Sequence, residues 1–417
     1  MNFPGSSEEA ERRILERLEN MRDNIVRLSS DLIRIPTVNP PGENYGEISS
    51  FLSKKMDEIG LKVEVFQASE SKLKELGLKP PRPVVVGTLE AGKPEEALHF
   101  NGHYDVVPAG EGWTVEPFKP TVRNGRLYGR GASDMKGGIA AMLAAVEAVR
   151  KERVNLRGDL KLSFVPDEEI GGQTGTGCLA ELGLMEGKAA LIGEASGIDR
   201  VCVAHKGALW LEVAVKGEAA HTCMAHKAVN AVEKAAKIIV ELGKLKEGFK
   251  AKATRTPMLS GHENPVINIG GVIRGGVKAN VVPELCVFTV DRRLIPEENV
   301  EEAEAEIVGL IEEMGREDPQ LQAEVKRILH VEAAFTPENE KICRVLVEAA
   351  GKVTGVKPQI SGLPVFTDMH FFSQHMPSAI YGPGVLEKVH AADEYVPVEE
   401  LVASAKVYAL TILKMLA

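Results

Sequence analysis

The chain has 417 residues, more than one ordinary hydrophobic core serves, so two domains are expected. Hydrophobic residues make up 44% and charged residues 26%, the balance of a soluble globular protein; the net charge of −10 argues against a nucleic-acid partner, because phosphate binding needs a basic face. No apolar run reaches the ~20 residues that a membrane-crossing helix needs, so a membrane partner is not expected either.

The start of the chain, MNFPGSSEEAERR, is acidic and polar and lacks the basic head and apolar stretch of a secretory leader. Ile14, Leu18, Met21, Ile25, Leu28 and Leu32 then recur at spacings of four and three, which predicts one long helix with a single apolar stripe, ended by Pro36 and the loop TVNPPGEN. A second helix is predicted around Glu47 to Ile59, followed by the strands LKVEVF, RPVVVGTL and ALHFNGHYD. An Ala-rich helix with Ile139, Met142, Val146 and Val149 on one face comes next, then the strands DLKLSFV and AALIGEA. Alternating strands and helices predict an α/β domain with a mixed, largely parallel sheet flanked by helices, whose site gathers at the carboxyl ends of the strands.

The pattern changes near residue 206. The alternating strand ALWLEVAVKG, a helix from Ala228 to Leu242, the strands VINIGGVIRGG and LCVFTVDRR, and a helix around Glu298 to Met314 predict an α+β unit with an antiparallel sheet. Residues 207–328 are therefore read as an insertion into a domain made of 1–206 and 329–417. The five cysteines (Cys178, Cys202, Cys223, Cys286, Cys343) are odd in number, scattered and form no C-x-x-C pair. Reduced thiols and a cytoplasmic location are expected, so a metal would be held by His, Asp and Glu.

Five segments carry candidate chemistry. His103 and Asp105 stand two apart at a predicted strand end, so both face one side, and the carboxylate can hold the imidazole while its other nitrogen binds a metal. A glycine-rich loop delivers Asp134 just before the Ala-rich helix, either as a helix cap or as a carboxylate bridging two metals. Asp167, Glu168 and Glu169 follow a buried strand, where acids are costly unless positive charge is near. Neighbouring strand residues point opposite ways, so one glutamate can be a ligand and the other a general base. Glu194 ends the strand AALIG, and His390 follows YGPGVLEKV. His103, Asp134, Glu169, Glu194 and His390, with one carboxylate shared, make two sites of three protein ligands each, leaving positions for water and substrate.

The order of these pieces resembles the zinc-dependent deacylases and exopeptidases that include acetylornithine deacetylase, succinyl-diaminopimelate desuccinylase, aminoacylase and the glutamate-releasing carboxypeptidases, and the match runs from PTVNPPGE to HAADEYV. The resemblance implies two zinc ions, with cobalt or manganese as alternatives. His103 and Glu194 would hold one and Glu169 and His390 the other, with Asp134 between them; Asp105 would orient His103, and Glu168 would be general base and then acid. It implies an inserted lid that often dimerises, giving a homodimer. In that lid Ala220-His221-Thr222 places His221 to steady the developing oxyanion. Asn280 in Asn-Val-Val-Pro and Arg293 in Asp291-Arg292-Arg293 would hold a substrate carboxylate, with Arg292 the close second. The implied reaction removes the acyl group of an N-acyl amino acid; the alternative is a metallo-exopeptidase, carboxypeptidase or dipeptidase, taking a short peptide. Two departures stand out: Ala225 and His226 where relatives usually have Pro, and His370 where they often have Arg, either altering substrate contacts or replacing it structurally. His99, His205, His226, His262, His330 and His375, with Trp113 and Trp210, are expected to be structural or exposed.

Overall fold

The apolar stripe at the start of the chain folds as two helices, Ser7–Asn20 and Arg22–Ile33, not the single one expected. The break falls at Met21, whose backbone (φ −88°, ψ 3°) leaves the helical region. Ile14, Leu18, Ile25 and Leu32 are buried on both sides of it. No Gly or Pro marks the spot, so the sequence held no local signal for it. This computed structural model describes residues 7–417; the first six residues of the polar start lie outside them.

Contacts divide the chain into two compact units. The larger takes the residues up to Val203 with Thr336–Ser361 and Thr367–Ala417, and the smaller takes Ala204–Phe335 with Gly362–Phe366. In the larger unit the sheet runs in the order Lys62–Gln67, Pro83–Leu89, Gly158–Val165, Lys93–His103, Ala189–Ile192, Ser378–Ile380, Arg200–His205. Gly158–Val165, Lys93–His103, Ala189–Ile192 and Ser378–Ile380 are parallel to one another, and antiparallel strands flank them. The central strands are buried on both faces, and one reads as a continuous apolar run, Ala189, Ala190, Leu191 and Ile192.

The Ala-rich helix Lys136–Lys151 is buried nearly all round, not along one face. Ala140, Ala141, Ala144, Ala145 and Ala148 let neighbours close in, and the helices Arg22–Ile33, Tyr45–Ile59 and Val398–Leu416 pack against it. Each large apolar side chain so enclosed contributes roughly 1.5–3 kcal/mol.

The smaller unit has an antiparallel sheet in the order Val266–Gly275, Leu285–Leu294, Gly207–Lys216, Gln322–Val331. Helices Ala231–Gly243 and Val300–Glu317 cover it, and Asn230 and Asn299 cap them by accepting backbone N–H groups of their first turns. The sequence analysis assigns no element to the strand Gln322–Val331: Glu324 and Lys326 stand on its exposed face, and Arg327 interrupts the apolar side of Ala323 and Val325. No helix among the described residues is long and apolar enough to cross a membrane.

Candidate metal centre

Parallel strands point their carboxyl ends the same way, and the candidate ligands collect at that edge. His103 is the last residue of its strand, Glu168 and Glu169 form a short turn after Gly158–Val165, and Glu194 lies two residues past Ala189–Ile192. Asp134 arrives on the loop ahead of the Ala-rich helix, across a cis peptide bond to Met135. It does not cap that helix: the capping position is Met135, with no side-chain cap. His390 comes from the loop ahead of Tyr395–Pro397, in a left-handed conformation (φ 62°).

Asp134 turns one oxygen to each histidine. Its Oδ1 lies 2.9 Å from His103 Nε2, and its Oδ2 lies 3.2 Å from His390 Nε2. Glu194 Oε1 is 3.0 Å from His103 Nε2, and Glu169 Oε2 is 3.1 Å from His390 Nε2. Glu168 belongs to neither group; its Oε2 stands 4.0 Å from His103 Nε2. The two glutamates therefore face different histidines, although they sit in a turn and not on a strand. His103 is buried, whereas the His390 side chain is 52% exposed.

Carboxylates outnumber cations here, and their proton affinities show it. Burial pushes Glu168 well above the usual carboxylate range, raises Glu194, and brings Glu169 up to about 7 with help from Asp134. Burial works against Asp134 too, but hydrogen bonds from His103 and His390 hold it below its ordinary value. Burial disfavours the His390 cation, yet Asp134 and Glu169 raise it to about 10. His103 stays well above its ordinary value against its own burial, through Glu194, Asp105 and Asp134.

Asp105 lies past the strand end, and its contacts are wider than the sequence implied. His103 Nδ1 is 3.0 Å from the Asp105 carbonyl and 3.4 Å from its Oδ1. The same carboxylate accepts the N–H groups of Glu168 and Glu169, each at 3.3 Å, so it steadies both glutamates as well as the imidazole. Asn39 donates to Asp105 Oδ2 at 2.9 Å and to Asp167 Oδ1 at 3.1 Å, and Asp167 is ion-paired with the buried Arg82. Sequence reasoning gave Asn39 and Arg82 no role and named Asp167 only among the acids that need positive charge nearby. It also missed Asp368, which is buried, accepts from Thr176 at 2.8 Å, and is raised to about 7 chiefly by burial. His370 is buried in the helix Met369–Phe372 and donates through Nδ1 to the Thr367 carbonyl.

The lid candidates lie in the smaller unit. His221 and Asn280 come together, with Nε2 and Nδ2 3.5 Å apart, and His221 Nδ1 accepts the Cys223 N–H. Arg292 is fully buried, bonded to Glu298 at 2.7 Å and stacked on Phe249 at 3.7 Å. Arg293 keeps part of its side chain exposed beside Asp291. Among the sundry histidines, His99 and His205 are buried in the core.

The donor set fits two metal ions. His103, Asp134 and Glu194 form one group and Asp134, Glu169 and His390 a second, with ligand atoms in each within 4.8 Å of one another. Glu169 Oε1 is buried and meets no hydrogen-bond donor among the described residues, as expected of an oxygen that serves a cation. Histidine and carboxylate donors suit zinc, manganese or cobalt.

The sequence pattern of peptidase family M20/M25/M40 matches residues 99–414. An acetylornithine deacetylase of Myxococcus xanthus is 31% identical over 320 residues, 76% of this chain and 80% of the relative. A succinyl-diaminopimelate desuccinylase of Pelagibacter ubique is 26% identical over 395 residues, 92% of this chain and 97% of the relative. Among solved structures, the dipeptidase Dug1p of Saccharomyces cerevisiae shares the fold with a TM-score of 0.78 at 16% identity, covering 97% of this chain and 98% of its own. With the family pattern spanning every candidate ligand, the chain belongs to peptidase family M20/M25/M40.

Proposed function

We propose that this protein is a metal-dependent amide hydrolase that removes the acyl group from an N-acyl amino acid. The observation that carries the reading is Asp134, which offers one oxygen to each of two His-and-carboxylate groups, with Glu168 beside them and outside both. His103, Asp134 and Glu194 would hold one ion and Asp134, Glu169 and His390 the other. Zinc held there would supply Lewis acidity, by which a scissile carbonyl would be polarised and bound water made more acidic.

Glu168 accepts the proton of the attacking water at its carboxylate and returns it to the leaving amine. Asp105 keeps His103 and the Glu168–Glu169 turn in register through the contacts above. In the smaller unit His221 steadies the oxyanion. Arg293 and Asn280 anchor the substrate carboxylate by charge-assisted hydrogen bonds. Arg293 is preferred to Arg292, whose guanidinium is spent on Glu298 and Phe249. A homodimer through the smaller unit is supported by its edge strand Val266–Gly275, which exposes Val266, Val272 and Ile273. All five cysteines are free, in keeping with a reducing, cytoplasmic setting.

The test is hydrolysis by the zinc-loaded protein of N-acetylornithine, N-succinyl-diaminopimelate, other N-acyl amino acids and several dipeptides. Selective turnover of one N-acyl amino acid supports the reading. Turnover of dipeptides alone moves the protein to the exopeptidase alternative, and silence across the panel with two ions bound overturns the assignment. Glu168→Gln is expected to keep both ions and lose on the order of 10²–10⁴-fold in kcat.

A further inference from the structure

We propose that Glu394 is a positioning residue for the metal centre, fixing Asp134 and His390 relative to each other. The inference rests on the reading of the centre just given. Glu394 is fully buried, and each of its oxygens takes two donors from one short loop. Oε1 accepts the N–H of Ser133 at 2.9 Å and of Asp134 at 3.1 Å. Oε2 accepts the N–H of Gly131 at 3.1 Å and Nη1 of the buried Arg130 at 2.6 Å. Successive backbone N–H groups turned inward make a concave anion cradle, and here the anion is the protein's own carboxylate.

The same stretch is tied to that loop along its backbone. The Glu394 carbonyl takes the Gly129 N–H at 3.0 Å, the Tyr395 carbonyl takes the Ser133 hydroxyl at 2.8 Å, and Tyr395–Pro397 pairs with Arg126–Tyr128. Glu394 stands four residues after His390. Both His390 and Asp393 adopt left-handed backbone angles (φ 62° and 54°), which non-glycine residues hold only when their surroundings impose it. Asp393 is fixed by Thr114, whose N–H and hydroxyl it accepts at 2.8 Å. One carboxylate thus joins the loop that carries the shared ligand to the segment that carries the exposed one. His103 and Glu194 need no such brace, because each ends or closely follows a strand inside the parallel sheet.

Glu394→Gln keeps the volume but turns an amide NH₂ towards donors, so two of the four contacts become repulsive. The experiment titrates metal-free wild type, Glu394→Gln and Glu394→Asp with Co²⁺, following ion stoichiometry by visible absorption and mass spectrometry, with Tm of each metal-free protein alongside. Wild type is expected to take up two ions. Glu394→Gln is expected to bind the first within about threefold of wild type and the second at least tenfold more weakly, with Glu394→Asp, which keeps the charge, between the two. Both steps unchanged while Tm falls would overturn the proposal and leave Glu394 a brace of the fold alone. Should the Gln variant fail to fold, the Asp variant decides: an unaltered second step overturns the proposal. Fewer than two ions on wild type would instead bring down the reading of the centre itself.

Discussion

Arg82 and Asp167 are each nearly inaccessible to solvent, and their pairing is the furthest reach of the hydrogen-bonded chain that ends at the Glu168–Glu169 turn. Tyr45 and Thr174 also donate to Asp167, and the Arg82 Nη2 donates to the Pro41 carbonyl at 2.5 Å. Removing one partner of a buried ion pair leaves the other charge stranded, so Arg82→Met is expected to cost about 3–5 kcal/mol, read as a lower midpoint in urea unfolding. His99 gives a second residue-level prediction. It is buried, with Nε2 2.9 Å from the Ser163 hydroxyl, and burial holds it down at about 3 against an ordinary 6.5. The folded protein therefore refuses a proton that the unfolded chain accepts. Its stability contribution is complete above pH 6.5 and falls as pH drops towards about 3, by up to about 1.4 kcal/mol per pH unit. Urea midpoints of wild type and His99→Gln from pH 7 to pH 4 should show the wild-type advantage shrinking as acid is added; a constant gap would refute the assignment. His390, on a loop, carried no strand-end or helix-start sign, whereas the other four candidate ligands, His103, Asp134, Glu169 and Glu194, were legible because each follows a strand end or precedes a helix inside a short motif. Their supports were not: Arg82 meets Asp167 across 85 residues and Arg130 meets Glu394 across 264, and singly each reads as a surface charge.

At the scale of elements, the Ala-rich helix and the end of the strand Ala189–Ile192 meet backbone to backbone. A Cβ on Gly138 would fall 2.3 Å from the Gly193 carbonyl oxygen, and one on Gly382 would fall 2.3 Å from the same atom. Both glycines thus hold open the place where the chain turns to present Glu194. Gly138→Ala improves helix propensity by up to about 1 kcal/mol, but a clash with backbone finds no rotamer to relieve it. The clash dominates, and a net loss of about 1–3 kcal/mol is expected, with weaker metal retention as the Glu194 turn shifts. Unchanged Tm and unchanged metal content in this variant would show that the contact relaxes freely. Most elements could be read from periodicity, and the failures have local causes. The break at Met21 carries no breaker residue, the Gln322–Val331 strand sets Arg327 on the same side as Ala323 and Val325, and the Ala-rich helix hides its full burial because alanine marks no face.

For the whole molecule, the buried acids at the sheet edge couple metal to folding. Ions that bind the folded chain and not the unfolded one stabilise it, by about 2.7 kcal/mol per site when free metal is a hundred times Kd. Dialysis against a chelator is expected to lower Tm and abolish amide hydrolysis, and zinc should restore both; a Tm indifferent to chelator would mean that no ion is held there. In the sequence, alternating strands and helices give way to an antiparallel pattern near residue 206, and by contacts the smaller unit begins at Ala204. The return of Gly362–Phe366 to the smaller unit was not visible there, since five residues are too few to show a period. That interrupted path has a consequence for biosynthesis. The strand Ser378–Ile380 lies inside the larger sheet, between Ala189–Ile192 and Arg200–His205, and His390 follows it. A chain emerging from the ribosome carries a gap in that sheet until Ser378–Ile380 has been made, while the smaller unit, nearly continuous from Ala204 to Phe335, can close its own sheet first. Usual vectorial order is thereby inverted: the unit whose synthesis began earlier finishes folding later, and the apolar edges of Ala189–Ile192 and Arg200–His205 stay open to chaperones while the residues up to Ser378–Ile380 are made.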